Sequence, residues 1–452
     1  MTGPSPLNDI FILIPAYRDE QLVPTVRDCL AKARDPGALR FGICVQEDLS
    51  TFVNPFEGDD RIRVDLVDYR ESRGAGWARH RAQQLYRGER YVLYLDAHMR
   101  FVEHWDTLAI EMLDALPCAK PILTCFPPMF EPRPDGDTIL SDVPNTIQFA
   151  GMFNDWALPL FHPVALEHYR EVTSPIPGRS VAAGFMFTHG RVIAEVPIDP
   201  EIYFLGEEVT FALRAFTHGY DFFYPHRTIL FHYYARPKGH HWEDHEAGVE
   251  RPWFALEEVS RVRVRKLLGI AHNGIDLRPY GWGEERPADG YDVDLGPYGL
   301  GTVRSRAEFE AFTGLDLEAS AVEQYTRDYH VPPNPAHAGH AWPRFQLQDV
   351  LVRITPDPAA IQPAERHLEW KVFIADPLGV WRVFAVIDAA QIAEILREPD
   401  LSFVMRYRTV ERGGKWTIRM KLADKGWQTD ITGDLPAVAD TPIRAPRIPR
   451  SA

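Results

Sequence analysis

Short apolar segments alternate with amphipathic segments over the N-terminal quarter of the chain. Residues 10–14 are continuously apolar and end at Pro15, which predicts a strand buried on both faces, and residues 20–33 have the periodicity of a helix. The same alternation predicts strands at 41–45, 62–67 and 91–95 and helices at 74–86 and 103–116. Strands that alternate with helices predict right-handed βαβ units and a largely parallel sheet, whose ligands bind at the carboxyl ends of the strands.

The alternation is less regular after residue 125, but it continues. Strands are predicted at 181–188, around Phe222 and at 228–231, and helices at 207–217 and 255–268. Between them, residues 236–250 are polar and aperiodic, as in a mobile loop. We therefore assign residues 1–330 to one α/β domain.

The pattern of predicted elements changes in the last quarter of the chain. Residues 331–343 contain four prolines and no periodicity, which predicts a linker. Residues 344–435 contain successive strand-like segments and one helix, at 389–397, which predicts a small β-rich accessory domain, and residues 436–452 are predicted to be disordered. Four tryptophans of this domain are interpreted as core residues, with sugar stacking as the alternative: Trp370, Trp381, Trp416 and Trp427. Acceptor selection and dimer formation are other roles open to the domain.

Composition narrows the class of protein. The chain has 49 Lys and Arg against 64 Asp and Glu, a net charge of −15, and no basic run interleaved with aromatic residues, which argues against nucleic-acid binding. Its apolar runs are far shorter than the ~20 residues that span a bilayer, so no membrane span or export is expected. Four scattered cysteines without CxxC spacing indicate reduced thiols and a cytoplasmic location.

The sharpest chemical feature is Asp96-Ala97-His98, directly after the predicted strand at 91–95. A carboxylate and an imidazole at a strand exit can bind one divalent cation, and His232, at the end of a later predicted strand, is a candidate third ligand. The alternative is structural: Asp96 caps a turn, and both histidines are partly buried and hydrogen-bonded.

Two further motifs precede predicted helices. Glu207 and Glu208 follow Gly206, and capping of the helix N-terminus accounts for one of these two acids. The segment from Arg73 to Arg79 (RGAGWAR) combines two glycines, Gly74 and Gly76, with arginines at a helix N-terminus, which favours an anion such as diphosphate. The alternative for these glycines is helix initiation alone, and no GxGxxG or Walker motif is present.

Several motifs together resemble glycosyltransferase family 60, the cytoplasmic polypeptide α-N-acetylglucosaminyltransferases that modify hydroxyproline. The resemblance extends in order over residues 8–320 and is carried by RGAGWAR (73–79), LDAHMRFV (95–102), AAGFMF (182–187), LGEE (205–208), FHYY (231–234) and LGTVRS (300–305). It implies a GT-A fold (the nucleotide-diphospho-sugar transferase fold), a UDP-sugar donor such as UDP-GlcNAc, Mn²⁺ or another divalent cation such as Mg²⁺, and retention of the anomeric configuration.

The chain is more distantly similar to the polypeptide N-acetylgalactosaminyltransferases. Their D-x-H motif resembles Asp96 and His98, their later metal histidine resembles His232, and the arginine four residues beyond it resembles Arg236. Their Gly-Glu-Asn resembles Gly206-Glu207-Glu208, with Glu208 in place of Asn.

The resemblance also implies a set of substrate contacts. The catalytic residues are expected to be Asp96, Glu207 and Arg236, with Glu207 orienting sugar or acceptor. The expected donor contacts are Pro15, Ala16, Tyr17, Arg18, Asp48, Arg73, Gly76, Arg79, Asp96, Gly184, Glu208 and Trp242, with uracil and ribose held by the first five. Asp155 and Trp156 are placed on the acceptor side, with a folded loop around a buried Trp as the alternative. His240, His241 and His245 are expected to face solvent or substrate rather than bind a second metal.

The leading hypothesis is a cytoplasmic, metal-dependent, retaining transferase that moves GlcNAc from UDP-GlcNAc to a peptide or protein hydroxyl. Front-face attack, with the acceptor proton passing to the leaving phosphate oxygen, requires no general base. Transfer to a polysaccharide or small molecule, or from another UDP-sugar, uses the same chemistry. A protein that binds UDP-sugars without catalysis is the alternative from a different class.

Overall fold

The computed structural model describes residues 9–435 except 154–157, 167–168, 237–239, 246–251, 271–293, 319–320, 324–343, 347, 362–365, 376–380, 410–412 and 424. The helices are α1 (Leu22–Lys32), α2 (Ala75–Gln83), α3 (Trp105–Asp114), α4 (Val192–Glu195), α5 (Glu207–Thr217), α6 (His241–Asp244), α7 (Trp253–Leu268), α8 (Arg306–Thr313) and α9 (Ala389–Ile395). Short 3₁₀ helices span Pro36–Ala38, Tyr69–Glu71 and Gly296–Tyr298.

The strands that come before the C-terminal region are β1 (Ile10–Tyr17), β2 (Leu39–Glu47), β3 (Ile62–Asp68), β4 (Tyr91–Leu95), β5 (Met99–Phe101), β6 (Pro121–Thr124), β7 (Phe130–Glu131), β8 (Thr138–Ile139), β9 (Asn145–Phe153), β10 (Pro159–Ala165), β11 (Ile176–Pro177), β12 (Phe185–His189), β13 (Asp221–Tyr224), β14 (Leu230–His232) and β15 (Leu315–Asp316). The remaining strands are β16 (Ala321–Glu323), β17 (Arg344–Gln346), β18 (Gln348–Ile354), β19 (His367–Ala375), β20 (Trp381–Asp388), β21 (Phe403–Thr409), β22 (Gly414–Leu422), β23 (Gly426–Trp427) and β24 (Ile431–Leu435).

An eight-stranded sheet with the order β11-β13-β6-β12-β4-β1-β2-β3 forms the centre of the first part of the chain. The strands β3, β2, β1 and β4 are mutually parallel, and β12 runs antiparallel between β4 and β6. Residues Ile10 to Ile14 and Tyr91 to Leu95 are almost completely buried, because both faces of these strands are covered. The predicted α/β class with a mostly parallel central sheet is therefore confirmed.

The topology brings three chain segments to one edge of this sheet. The strand β4 ends at Leu95, and the chain then continues through Asp96 to β5. The strand β14 pairs antiparallel with β5 in a register that places His232 opposite Met99. The helix α5 begins at Glu207, as predicted. Polar residues that are far apart in the sequence therefore follow neighbouring strands.

Some predicted bounds differ from the structure. The strand β1 continues through Pro15 to Tyr17, rather than ending at Pro15. Pro15 is tolerated there because pairing with β4 ends at Leu13, so beyond that residue only the β2 side requires hydrogen bonds. The strand predicted at 181–188 begins only at Phe185, and the predicted loop at 236–250 contains α6. The short strand β6 was not predicted.

The described residues form two compact units. The first contains described residues of 9–148 and 161–318, and the second contains those of 149–160, 321–323 and 344–435. The predicted linker at 331–343 lies outside the described residues, as does the tail at 436–452. The predicted domain limits therefore stay a prediction.

The second unit confirms the β-rich C-terminal region. Its largest sheet has the order β20-β19-β22-β23, with β24 also paired to β22. Trp370 and Trp416 belong to its apolar core, at 0 % and 6 % exposure, so sugar stacking by these two rings is excluded. The side chains of Trp381 and Trp427 lie outside the described residues.

Two further observations concern the whole described chain. Within the described ranges, none of the helices combines the length and apolar composition needed to cross a bilayer. Cys29, Cys44, Cys118 and Cys125 are all unpaired.

Candidate active site

Asp96, His98 and His232 converge at the carboxyl end of β4. Their ligand-capable atoms all lie within 4.8 Å of one another. The Nε2 atom of His232 is 3.3 Å from an oxygen of Asp96, and the ring centroids of His98 and His232 are 4.7 Å apart. The antiparallel pairing of β14 with β5 produces this arrangement, since it aligns His232 with the residue that follows His98. The three residues predicted to be close together are close together.

The chemistry of this cluster fits a divalent cation. One carboxylate and two imidazoles are ligands that Mn²⁺ and related ions accept in proteins. The Nδ1 atom of His232 is buried and has no hydrogen-bond partner among the described atoms. Burial lowers the pKa of His232 despite the opposing effect of Asp96, which favours the neutral imidazole that binds metals.

Asp19 holds the imidazole of His98, and the motifs considered in the sequence did not include it. Its Oδ2 atom accepts a hydrogen bond from Nδ1 of His98 at 2.8 Å and another from Arg236 at 2.5 Å. Burial opposes ionisation of this carboxyl, but the bonds from His98 and Arg236 outweigh it and lower its pKa. Asp19 follows β1 as Asp96 follows β4, so its position at a strand exit was the available signal.

Arg79 lies between two carboxylates. Its NH1 atom donates to both oxygens of Glu207, at 3.1 and 2.8 Å, and NH2 donates to Asp96 at 2.5 Å. Burial and the neighbouring Asp96 raise the pKa of Glu207, whereas Arg79 and the imidazoles overcome burial and lower the pKa of Asp96. Arg79 was predicted to contact the diphosphate; here it fixes the carboxylates beside the cluster, and a donor contact stays a prediction.

Glu208 and Gly184 lie close to Asp96. An oxygen of Glu208 accepts the backbone N–H of Ala183 at 2.9 Å, and burial raises the pKa of Glu208 to about 7. A Cβ atom on Gly184 would lie only 2.6 Å from Oδ2 of Asp96, so glycine is needed for this close approach. Both residues are therefore adjacent to the cluster, and their donor contacts stay a prediction.

The predicted uracil and ribose contacts lie at the ends of β1 and β2, and α6 covers part of them. Tyr17 donates to Asp244 at 2.9 Å, and Arg18 forms an ion pair with the same carboxylate at 2.7 Å. Pro15 and Ala16 are the preceding residues of β1, and Asp48 follows β2 and bonds Arg70 at 3.2 Å. Asp244 was not predicted.

The histidines around α6 contact protein groups. The Tyr203 hydroxyl bonds His241 at 2.9 Å, and His245 bonds the carbonyl oxygen of Tyr69 at 2.9 Å. The rings of His241 and His245 stack with centroids 4.0 Å apart, and Trp242 stacks on His240 with its own ring partly exposed. In the described part of the chain, no three-ligand cluster includes these histidines.

For four other predicted positions, the structure shows no substrate contact. A Cβ atom on Gly76 would lie 2.2 Å from the carbonyl oxygen of Ile202, so packing of α2 accounts for this glycine. Arg73 is exposed at the start of the same helix. Asp155 and Trp156 lie outside the described residues. Substrate contacts at these positions stay predictions.

Comparison with known proteins assigns the class and then the family. A family model described as "Glycosyltransferase (GlcNAc)" matches residues 9–54 and 50–319, more than half of the chain. The protein is thus a glycosyltransferase, and it belongs to this GlcNAc glycosyltransferase family. The prediction of a glycosyltransferase is confirmed. A search of curated proteins found no match.

Solved structures similar to the chain include those of two glycosyltransferases. The structure of GalNAc-T7 with UDP, GalNAc and Mn²⁺ is 13% identical, with a TM-score of 0.46, over 67% of this chain and 56% of that one. The structure of residues 1–349 of S. aureus TarS with UDP-GlcNAc is 15% identical, with a TM-score of 0.34, over 57% of this chain and 66% of that one. The chain thus spans little more than half the length of the GalNAc-T7 chain.

Replacing Arg79 by Met tests the buried ion pairs. The variant keeps the aliphatic volume but leaves Glu207 and Asp96 without a counter-charge, so we expect a loss of about 3 kcal/mol in unfolding free energy, measured by urea denaturation. Arg81→Met is the matched control, because Arg81 lies on the same helix and pairs with Asp65 near the surface; its expected loss is below about 1 kcal/mol. Equal losses in the two variants would show that the ion pairs of Arg79 are no more important to stability than the surface pair of Arg81.

Glu208→Gln tests the raised pKa of Glu208. A carboxyl whose pKa rises from 4.5 to about 7 on folding contributes full stability below pH 4.5 and loses it as the pH rises through 7. Gln remains neutral and keeps an oxygen for the Ala183 N–H, so the variant should match the wild type at pH 5 and exceed it by about 2–3 kcal/mol at pH 8. Denaturation curves at the two pH values measure this; a pH-independent difference would show that the pKa is not raised.

Proposed function

We propose that this protein is a metal-dependent, retaining N-acetylglucosaminyltransferase, similar to glycosyltransferase family 60, which transfers GlcNAc from UDP-GlcNAc to a hydroxyl of a peptide or protein. The observation that carries the proposal is the convergence of Asp96, His98 and His232 within 4.8 Å in a member of a GlcNAc glycosyltransferase family. The four unpaired cysteines support a reducing, cytoplasmic location.

Asp96, His98 and His232 would hold Mn²⁺ or a related ion such as Mg²⁺. When bound, the ion supplies Lewis-acid stabilisation of the negative charge that develops on the UDP leaving group. The protein would add cationic charge through Arg236, whose guanidinium donates to Asp19 at 2.5 Å. Arg73 is an exposed second cation at the start of α2.

The nucleoside would lie against the residues that follow β1 and β2. The segment from Pro15 to Arg18 offers backbone groups and the Tyr17 ring to uracil, and Asp48 offers a carboxylate to the ribose hydroxyls. The Tyr17 hydroxyl and the Arg18 guanidinium are both bonded to Asp244 in this structure. Binding of the donor would therefore require these contacts to rearrange. Trp242, partly exposed on α6, would exclude water from the bound sugar nucleotide.

Retention by front-face attack needs no protein nucleophile, and the environment of Glu207 agrees with this. Both of its oxygens accept hydrogen bonds from Arg79, so this carboxylate is held as an orienting group rather than as an attacking one. Glu208, with a pKa near 7, can both donate and accept hydrogen bonds with sugar hydroxyls. We assign no general base, and the acceptor proton passes to the leaving phosphate oxygen.

An exposed apolar face beside His232 supports a polypeptide acceptor. Met129 pairs with His232 across an isolated bridge, which places both side chains on one side, and the backbone N–H of Leu140 bonds the carbonyl oxygen of Met129 at 3.0 Å. The Tyr234 ring lies 4.0 Å from the His232 ring. Met129, Leu140 and Tyr234 are all exposed, and aliphatic side chains such as Met and Leu suit peptide side chains better than sugar hydroxyls.

Two alternatives give different results in solution. The same chemistry on a polysaccharide or small molecule, or with another UDP-sugar, would preserve metal-dependent donor hydrolysis. A binding protein without catalysis would not hydrolyse the donor, and it would not need the costly burial of Arg79 between two carboxylates.

A panel of UDP-sugars tests the proposed reaction. We expect slow hydrolysis of UDP-GlcNAc that requires Mn²⁺, disappears with EDTA, and falls by at least about 100-fold in Asp96→Asn and His98→Gln, because each variant removes one ligand. Released UDP measures the rate, and mass spectrometry of host proteins identifies the added sugar. His240→Gln serves as the control, since His240 is not part of the cluster and should retain Mn²⁺ dependence. Equal hydrolysis with and without EDTA would reject the metal-dependent mechanism.

Short peptides test the nature of the acceptor. In peptides with one central threonine, apolar residues beside the hydroxyl should give a KM at least about tenfold lower than aspartates do, because the face beside His232 is apolar and the chain is acidic. Transfer is measured by mass spectrometry with an oligosaccharide in parallel. Transfer to the oligosaccharide alone would favour the polysaccharide alternative.

A further inference from the structure

Asp19 has no role in the mechanism above beyond its contact with Arg236, yet it contacts one proposed metal ligand. We propose that Asp19 is the positioning residue of this site: it sets the tautomer and orientation of His98 and couples the ion to Arg236. The inference rests on the proposed function, since it takes His98 to be a metal ligand. Its basis is a network of hydrogen bonds around Asp19.

The contact with Asp19 determines which nitrogen of His98 is available. The carboxylate oxygen accepts from Nδ1 at 2.8 Å, so the proton of a neutral ring lies on Nδ1. The lone pair then lies on Nε2, which is the atom left for a metal. Without Asp19, the ring would be free to carry its proton on Nε2, and that tautomer cannot bind an ion through Nε2.

The carboxylate is itself rigidly held. The side chain of Asp19 is 2 % exposed, and its Oδ1 atom accepts the backbone N–H of Gln21 at 2.9 Å. The backbone carbonyl of Asp19 accepts from Leu22, the first residue of α1. Because Leu22 belongs to the apolar core, the position of the carboxylate is tied to the packing of α1.

The same helix also holds the backbone on both sides of His98. The Thr25 hydroxyl donates to the carbonyl of Ala97 at 2.8 Å and accepts the N–H of Met99 at 2.9 Å. His98 is therefore attached to the start of α1 at its backbone through Thr25 and at its ring through Asp19. Such support is what a ligand needs if its lone pair is to be aimed without rearrangement.

Arg236 and His98 donate hydrogen bonds to the same carboxylate oxygen of Asp19. The NH1 atom of Arg236 donates to Oδ2 of Asp19 at 2.5 Å, and Arg236 lies four residues beyond His232. One carboxylate oxygen thus joins the segments that follow β1, β4 and β14. Loss of Asp19 should therefore weaken Mn²⁺ binding and, separately, raise the KM for UDP-GlcNAc.

The experiment compares Asp19→Ala and Asp19→Asn in the full chain. Asn keeps the volume and an oxygen that accepts from Nδ1, so it preserves folding and part of the orientation. We expect the Kd for Mn²⁺ alone, measured by electron paramagnetic resonance, to rise about 100-fold in Asp19→Ala and about tenfold in Asp19→Asn. In metal-free protein, the ring ¹⁵N shifts of His98, assigned with His98→Gln, should report the Nδ1–H tautomer in the wild type and its loss in Asp19→Ala.

Asp106→Asn is the matched control. Asp106 is a buried carboxylate of the same unit that accepts backbone N–H groups of Arg34 and Asp35 and lies outside the cluster. This variant should lower the thermal midpoint but leave Mn²⁺ affinity unchanged. If the wild type binds Mn²⁺ while both Asp19 variants stay within about twofold of it, the inference is overturned and the proposed function stands. If the wild type itself binds no Mn²⁺, both are overturned.

Discussion

The site is built around four carboxyl groups that the fold holds at one edge of the sheet, which requires positive charge beside them. Asp19, Asp96, Glu207 and Glu208 lie at one edge of the sheet. In the described part of the chain, Arg79 pairs with Asp96 and Glu207, and Arg236 pairs with Asp19. The imidazoles of His98 and His232 also contact Asp19 and Asp96. Each guanidinium is attached to a carboxylate that would otherwise be costly to bury. A divalent cation beside Asp96 would add positive charge at this edge, which would attract a diphosphate. This electrostatic requirement connects the fold to the proposed chemistry.

The parallel sheet satisfies this requirement because its strands end at a common edge. Strands β1 and β4 are adjacent, so Asp19 and His98 meet although 79 residues separate them. The β5–β14 pair then adds His232 and Arg236 from a much later part of the chain. Glycine at position 184 allows the turn before β12 to approach Asp96. Apolar packing beneath the edge thus fixes charged groups that would not remain together in isolation.

Local patterns explain what could be predicted from the sequence. The apolar segments of β1 and β4, the helical segment of α5 and the Asp-x-His motif after a strand are local features, and the structure contains all of them. The contacts of Asp19 and Asp244 were not predicted, because they depend on how the segment that contains Arg236 and Asp244 packs against the end of β1, which lies 217 and 227 positions earlier. For the same reason, no local signal showed that Arg79 would face carboxylates.

The central claim is that Asp96, His98 and His232 bind one ion that holds the diphosphate of the donor. Anomalous X-ray diffraction at the manganese edge, from crystals grown with Mn²⁺ and UDP, tests it most directly. The account predicts a single strong peak in coordination contact with these three side chains and with the diphosphate oxygens. A peak elsewhere, or bound UDP with no manganese between the three residues, would contradict it.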